Sequence, residues 1–141
     1  MKVNLLAILF ENGEDPDGAK AKLARVNPDA VVQVIRGEGL SNSLVLELLA
    51  AQTMGAMEGG ELLARRPEVD FLLRVAGTAQ ISRAIASSGA VKGEPFILVA
   101  FTGGTPIRGT PAGAKTVPRR SLSTEEKFVV EKGALLSAQR T

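Results

Sequence analysis

Two apolar-periodic segments joined by a Gly77-Thr78 pair constrain the fold of this chain more than any other feature. In the first segment, four apolar residues recur at the spacing that places side chains on one helical face: Val69, Leu72, Leu73 and Ala76. Pro67 suits the first helical position, and Gly77 can take the left-handed conformation that ends a helix. A strand over residues 71–75 is the alternative; the bracketing proline and glycine favour the helix.

The second segment repeats the same spacing through Ile81, Ala84, Ile85 and Ser88. Thr78 can cap its start, and Gly89 can close its end. The sequence therefore predicts a pair of short helices, each of which buries one face against the rest of the protein.

Strands and helices alternate along the remainder of the chain. Apolar runs predict strands at 3–10, 30–35 and 95–102, with a short edge strand near 115–117. Further helices are predicted to follow Asp15-Pro16, to run from Ser41 or Ser43 through about Met54, and to begin at the capping box Ser123-Thr124-Glu125-Glu126. Residues 1–141 then form one mixed α/β domain, with a three- or four-stranded mixed sheet and several packed helices.

Histidine and cysteine are both absent from the 141 residues. These two residues supply the commonest general bases, thiolate nucleophiles and metal ligands. No serine stands inside a G-x-S-x-G motif either. Catalysis would therefore have to rest on carboxylates, lysine or serine, and the composition is compatible with a chain that has no catalytic residues, no metal site and no cofactor.

The chain carries no apolar run long enough to span a membrane and no signal-peptide pattern, so a cytoplasmic protein is expected. Glycine, proline and threonine dominate residues 103–120, which predicts an exposed, mobile loop.

Charge is unevenly distributed along the chain. Residues 1–61 carry nine acidic and five basic side chains, a net charge of −4, whereas residues 62–124 carry three acidic and nine basic ones, a net charge of +6. A segregated positive surface suits a polyanion partner, because phosphate contacts release counterions. Scattered, solvated arginines are the alternative.

A Gly37-x-Gly39 loop lies between a predicted strand and a predicted helix, where a dinucleotide fold would hold pyrophosphate. Asn42 stands where the third small residue of that motif belongs, and Glu38 adds a negative charge. A simple glycine turn is favoured over a nucleotide site.

The run Gly77-Thr78-Ala79-Gln80-Ile81-Ser82-Arg83-Ala84-Ile85, with Gly89 beyond it, resembles the G-x-x-Q-I-x-x-A-I-x-x-x-G signature of one family. This is the small kinase-associated subunit of the KEOPS (EKC) complex, the PRPK-binding, TPRKB-like family. The likeness covers most of the chain and resumes at Leu122-Ser123-Thr124-Glu125-Glu126. Ala79 stands where the family often has a basic residue.

The resemblance implies a non-catalytic subunit. Such proteins bind and regulate the atypical PRPK-like kinase/ATPase of KEOPS and reach the rest of the complex through it. The complex makes N6-threonylcarbamoyladenosine in tRNA, and this subunit helps to hold the tRNA by its 3′ CCA end. The alternatives are an enzyme that binds a nucleotide at the Gly37/Gly39 loop and a regulatory scaffold that binds the kinase without RNA.

Two residue sets follow as expectations. The final helix is expected to contact the kinase through Val129, Leu135 and Leu136, the alternative being that the two leucines pack onto the protein's own sheet. The N-terminal end of the second short helix, which is predicted to begin after Thr78, has free backbone amides that suit a phosphate. The expected RNA contacts are Thr78, Gln80 and Arg83, widened by Arg65, Arg66 and Arg36.

Overall fold

The apolar runs of the sequence form one antiparallel sheet in a computed structural model that describes residues 2–38 and 40–139. Its strands are β1 (Asn4–Phe10), β2 (Val31–Arg36), β3 (Phe96–Thr102) and the two-residue β4 (Lys115–Thr116). Their order across the sheet is β2-β3-β1-β4. The predicted mixed α/β class with four strands and packed helices is confirmed.

The expected mixed polarity of the sheet is wrong, since each strand pair among the described residues is antiparallel. Strand β3 lies between β1 and β2 and runs against both of them. Strands β1 and β2 therefore run in the same direction, as expected for strands joined by a helix, but they do not pair. The alternation of elements along the chain cannot reveal this insertion.

Five helices surround the sheet in the described part of the chain: α1 (Pro16–Val26), α2 (Ser43–Gly59), α3 (Pro67–Ala76), α4 (Ile81–Ser88) and α5 (Thr124–Gln139). Helix α3 begins at Pro67 and ends before Gly77, whose φ is 70°, so the helix at 71–75 is confirmed over the strand. Helix α2 continues past Met54 to Gly60, whose φ is 67°.

The sheet is covered on both faces, which gives three layers. Helices α2 and α3 pack on one face through a large apolar cluster that includes Leu46, Leu49, Phe71 and Phe101, and α5 packs against α2 and α3. Helix α1 packs on the other face, where Leu23 contacts a smaller cluster. Because both faces are covered, all seven residues of β3 are buried.

The start of α2 is held by Asn42 and not by the predicted serines. The Asn42 side chain is fully buried, and its oxygen accepts from the Leu44 N–H (3.1 Å) and the Arg120 N–H (2.9 Å). Its amide nitrogen donates to Glu126 Oε1 at 3.2 Å. A single side chain therefore caps α2 and ties it to the start of α5.

Helix α5 begins with the capping box that the sequence predicts. Ser123 Oγ accepts from the Glu126 N–H at 3.1 Å, and Glu126 Oε1 accepts from the Ser123 N–H at 2.9 Å. The bond from the Ser123 N–H is the main reason that the pKa of Glu126 is lowered, and the Asn42 amide adds to it.

Hydrogen bonds anchor the Gly- and Pro-rich segment at 103–120, which is mostly exposed as predicted. The side chain of Asn27, at the end of α1, forms a reciprocal pair of hydrogen bonds with the backbone of Arg108, each 2.7 Å long. Further along, the Val117 N–H donates to the Ala7 carbonyl at 2.9 Å, next to the predicted edge strand. The segment is thus tied to the end of α1 and to part of one sheet edge.

Candidate functional site

The start of α4 is an exposed helix end that lacks a side-chain cap. Gln80 occupies the N-cap position, and its side chain makes no capping bond. Thr78 does not cap the helix as expected; its hydroxyl accepts from the Gln80 N–H at 3.2 Å, outside the helix. The first-turn amides of α4 have no acceptor among the described residues. Such a terminus favours an anion.

Helix α4 does not bury the face that its periodicity predicts. Ala84 is buried, but Ile81 is 49% exposed and Ile85 is 57% exposed. The helix packs mainly against α3, and the small side chain of Ala84 allows that close contact. The two isoleucines, one turn apart, therefore form an apolar surface beside the exposed Arg83.

Arg36 lies at the other end of α4 from Thr78 and Gln80. Its Nη2 donates to the carbonyl of Ala86 in the last turn of α4, at 3.1 Å. Ala86 is six residues beyond Gln80, which corresponds to about 9 Å along a helix. A cation at this position stabilises the carbonyl end of the helix.

Arg65 and Arg66 lie just before α3, at the far end of that helix from Gly77 and Thr78. Both are exposed, and Arg66 is paired with Glu68 at 2.5 Å. Among the described residues, neither arginine forms a hydrogen bond or an ion pair with Gln80 or Arg83. The structure therefore brings together Thr78, Gln80 and Arg83, and it leaves Arg36, Arg65 and Arg66 outside that group.

Folding neutralises part of the charge segregation seen in the sequence. Lys115 pairs with Glu11 at 2.7 Å, and Arg119 pairs with Glu47 at 3.1 Å, so two cations of the basic half meet carboxylates of the acidic half. The bond and the charge of Lys115 lower the pKa of Glu11. Arg74 is buried against Asp70 and is not a surface cation. The basic surface is thus smaller than the sequence suggests.

The three residues expected to contact the kinase lie on different sides of α5. Leu135 is 57% exposed, whereas Leu136 is 4% exposed, and Val129 is half-buried against the main core cluster. The expectation for Leu136 is wrong, because this side chain fills the protein's own core. Phe128, which no sequence pattern singles out, is 65% exposed and lies two helical turns before Leu135.

Lys132 connects this surface of α5 to the turn between α3 and α4. Its side chain lies so close to Gly77 that an added Cβ on the glycine would be 2.9 Å from Lys132 Cδ. Lys132 is four residues after Phe128 and three before Leu135, the spacing of side chains on one helical face. We call Phe128, Leu135, Ile81 and Ile85 the exposed apolar set.

The nucleotide alternative depends on backbone amides that already have acceptors. The Gly37 N–H donates to the Pro95 carbonyl at 3.1 Å, and the Ser43 N–H donates to the Pro118 carbonyl at 2.9 Å. With the Leu44 amide bonded to Asn42, the start of α2 offers no free first amides to a pyrophosphate. Gly39 lies outside the described residues.

The residues that the structure describes contain neither a metal-binding cluster nor a membrane-spanning helix. No group of three or more histidine, cysteine, aspartate or glutamate residues could hold a metal ion. No helix combines the length and the apolar composition that crossing a membrane requires.

Comparison with protein-family models gave no match, and no curated protein matched the chain.

Proposed function

We propose that this chain is the small kinase-associated subunit of a KEOPS-type tRNA-modifying complex. In this role it is not an enzyme. It binds and regulates an atypical PRPK-like kinase, reaches the other subunits through that kinase, and helps to hold tRNA by its 3′ CCA end in the cytoplasm. The sequence resemblance described above motivates the proposal, and the surface of α4 and α5 supports it.

The observation that most supports the kinase contact is the exposed apolar set on the two helices beside the α3–α4 turn. Its four side chains are each between 49% and 65% exposed: Phe128 and Leu135 on α5, and Ile81 and Ile85 on α4. Large apolar side chains that are exposed on neighbouring helices are candidates for a site that a partner protein covers. Leu135 belongs to the expected kinase contact, and Phe128 extends it.

The start of α4 supports the RNA part of the proposal. Uncapped amides, the exposed Gln80 side chain and the Arg83 cation occur within one helical turn. Phosphate oxygens bind such amides and cations without reading the base sequence. In the proposed site, Arg36, Arg65 and Arg66 have no direct part and serve at most as peripheral cations.

Co-purification of the chain with a PRPK-like kinase, with and without tRNA, tests the proposal. We expect a stable binary complex with the kinase, and retention of tRNA that depends on its CCA end. A complex with the kinase but no retained tRNA would favour the RNA-independent scaffold. Failure to bind the kinase would overturn the proposal.

The enzyme alternative is tested separately by titrating nucleotides into the isolated chain. We expect neither ATP binding nor ATP hydrolysis by a preparation free of kinase. The absence of histidine and cysteine and the occupied amides near Gly37 and Ser43 motivate this expectation. Turnover by the purified chain would support the nucleotide-dependent enzyme.

A further inference from the structure

Strand β4 covers only part of the outer edge of β1. It pairs with Ile8 and Leu9, and the Val117 amide extends this pairing by one bond to Ala7. The chain then leaves the sheet at Pro118, whose carbonyl accepts from the Ser43 N–H at the start of α2. Among the described residues, the first half of β1 has no neighbouring strand on this side.

The backbone of Leu5 faces this open edge. In an antiparallel sheet, the N–H and C=O of alternate residues point to the same neighbour. Since the Ala7 carbonyl accepts from Val117, the backbone groups of Leu5, two residues earlier, point to the same side. No described residue donates to or accepts from them there. An unpaired strand edge of this kind is a template for another extended chain.

A groove of about 550 Å³ runs along this open edge. The wall of the groove beside α2 is formed by Ser43, Glu47 and Arg119. The wall on the opposite face of the sheet is formed by Pro106 and Ile107. Alternate side chains of a strand added here would therefore meet two different environments, one polar and one apolar.

The polar wall contains the Arg119–Glu47 ion pair, in which Arg119 keeps donors for an acidic side chain. Arg119 Nε and Nη2 both donate to the same carboxylate oxygen of Glu47, at 3.2 and 3.1 Å, so Nη1 keeps its donors. The side chain of Arg119 is 65% exposed, against 33% for Glu47. The positive end of the α2 dipole lies nearby, and the first turn of α2 contains no acidic residue.

We propose that the open edge of β1 binds an extended peptide segment of a partner protein, in which apolar residues alternate with acidic ones. The peptide backbone pairs with Leu5 as an added strand. Its apolar side chains contact Pro106 and Ile107, and an acidic side chain contacts Arg119. This surface is separate from the exposed apolar set, so the inference does not depend on the proposed function.

The test uses a seven-residue capped peptide of alternating valine and glutamate, with two control peptides. One control carries lysine in place of glutamate, and the other is N-methylated at the central valines. We expect the glutamate peptide, at about 1 mM, to slow hydrogen exchange of the Leu5 amide at least about tenfold, and the N-methylated peptide to have no effect. No slowing at Leu5 with any peptide would overturn the proposal.

Charge reversal in Arg119→Glu tests the recognition of the acidic residue. Because Arg119 is exposed, the variant is expected to fold, which chemical-shift dispersion checks. It should favour the lysine peptide over the glutamate peptide, the reverse of the natural chain, while the matched variant Lys92→Glu keeps the original preference. An unchanged preference in Arg119→Glu would also overturn the proposal.

Discussion

Arg74 and Asp70, one turn apart on α3, form an ion pair in which both side chains are at most 1% exposed and Nε lies 2.7 Å from Oδ1. The pair has hydrogen-bond partners on both neighbouring helices. The Thr53 hydroxyl of α2 donates to Asp70 at 2.6 Å, and Arg74 Nη1 donates to the Gly133 carbonyl of α5 at 3.0 Å. The pair therefore joins α2, α3 and α5.

Replacing Arg74 with methionine should destabilise the protein by about 3–5 kcal/mol, because the Asp70 carboxylate would remain buried without its cation. Urea unfolding measures the loss. The double variant Asp70→Asn/Arg74→Met should lose less than Arg74→Met alone, since the uncompensated charge is then gone. The exposed arginine variant Arg83→Met is the control. A change below about 1 kcal/mol in Arg74→Met would contradict this account.

Gly133→Ala should destabilise the protein, although alanine is the better helix former by about 1 kcal/mol. The added Cβ would lie 2.7 Å from Gln52 Oε1 and 2.8 Å from Leu49 Cδ2. Leu49 is fully buried, and the Gln52 amide is bonded to the Val130 carbonyl, so neither side chain can move freely. We expect a net loss of about 1 kcal/mol, measured by thermal and urea unfolding.

Gly55→Ala in α2 is the matched control for this prediction. Nothing lies within 4 Å of a Cβ built at Gly55. The same substitution should therefore stabilise the protein by about 0.5–1 kcal/mol. If both variants gained stability, the close approach of α5 to α2 would not limit residue 133.

The capping box makes stability depend on pH through Glu126. Its pKa is lowered from the ordinary value of 4.5, chiefly by the bond from the Ser123 N–H. A lowered folded-state pKa contributes stability that is present above the ordinary value and is lost as the pH falls through the folded-state pKa. Wild-type protein should therefore lose stability below about pH 4.5 more steeply than Glu126→Gln, which retains a capping oxygen.

Urea midpoints measured between neutral pH and acid pH would check this prediction. Glu125→Gln, one residue earlier in the same turn, is the control and should follow the wild-type profile. Equal slopes for Glu126→Gln and the wild type would show that the capping carboxylate does not account for the acid sensitivity.

Helix ends that depend on neighbouring residues could be predicted from the sequence. Helix α3 begins at Pro67 and ends before Gly77, and α5 begins at the capping box of Ser123 and Glu126, because each of these signals acts within a few residues. The sequence predicts Ser41 or Ser43 as the cap of α2, whereas Asn42 is the residue that caps it. Apart from the Leu44 amide, the partners of Asn42 include the Arg120 amide, 78 positions away, and Glu126, 84 positions away, so no local pattern could show that its side chain is buried and joins these segments.

The candidate site was harder to predict, because helical periodicity indicates an apolar face without indicating what covers it. Leu135 and Leu136 are neighbours in the sequence, yet one is exposed and the other buried. Ile81 and Ile85 match the spacing of a buried face but are exposed, since α4 packs through Ala84. Arg36 is expected at the start of α4 but contacts its other end, because sequence cannot show which end of a helix a distant residue contacts.

Leu135→Glu and Leu136→Glu should separate kinase binding from folding. Leu135 is 57% exposed, so a charge there should leave the fold intact and abolish binding of the kinase in a pull-down. Leu136 is 4% exposed, and a buried carboxylate there should unfold the protein. Ala21→Glu on α1, on the opposite face of the sheet, is the matched control and should bind normally. Normal binding by a folded Leu135→Glu would place the kinase contact elsewhere.

Arg83→Glu should weaken tRNA binding to a similar extent for different tRNA species, because a phosphate contact positions RNA without reading its sequence. It should also reduce the dependence of log affinity on log salt by about 0.7 for each single-strand phosphate that Arg83 neutralises. Arg25→Glu on α1 makes the same charge change on the opposite face of the sheet and should leave both quantities unchanged. Removing the 3′ CCA end should weaken binding to the wild-type chain more than changes in the anticodon arm. If neither Arg83→Glu nor CCA removal alters the affinity measured by gel shift, the start of α4 is not the tRNA site.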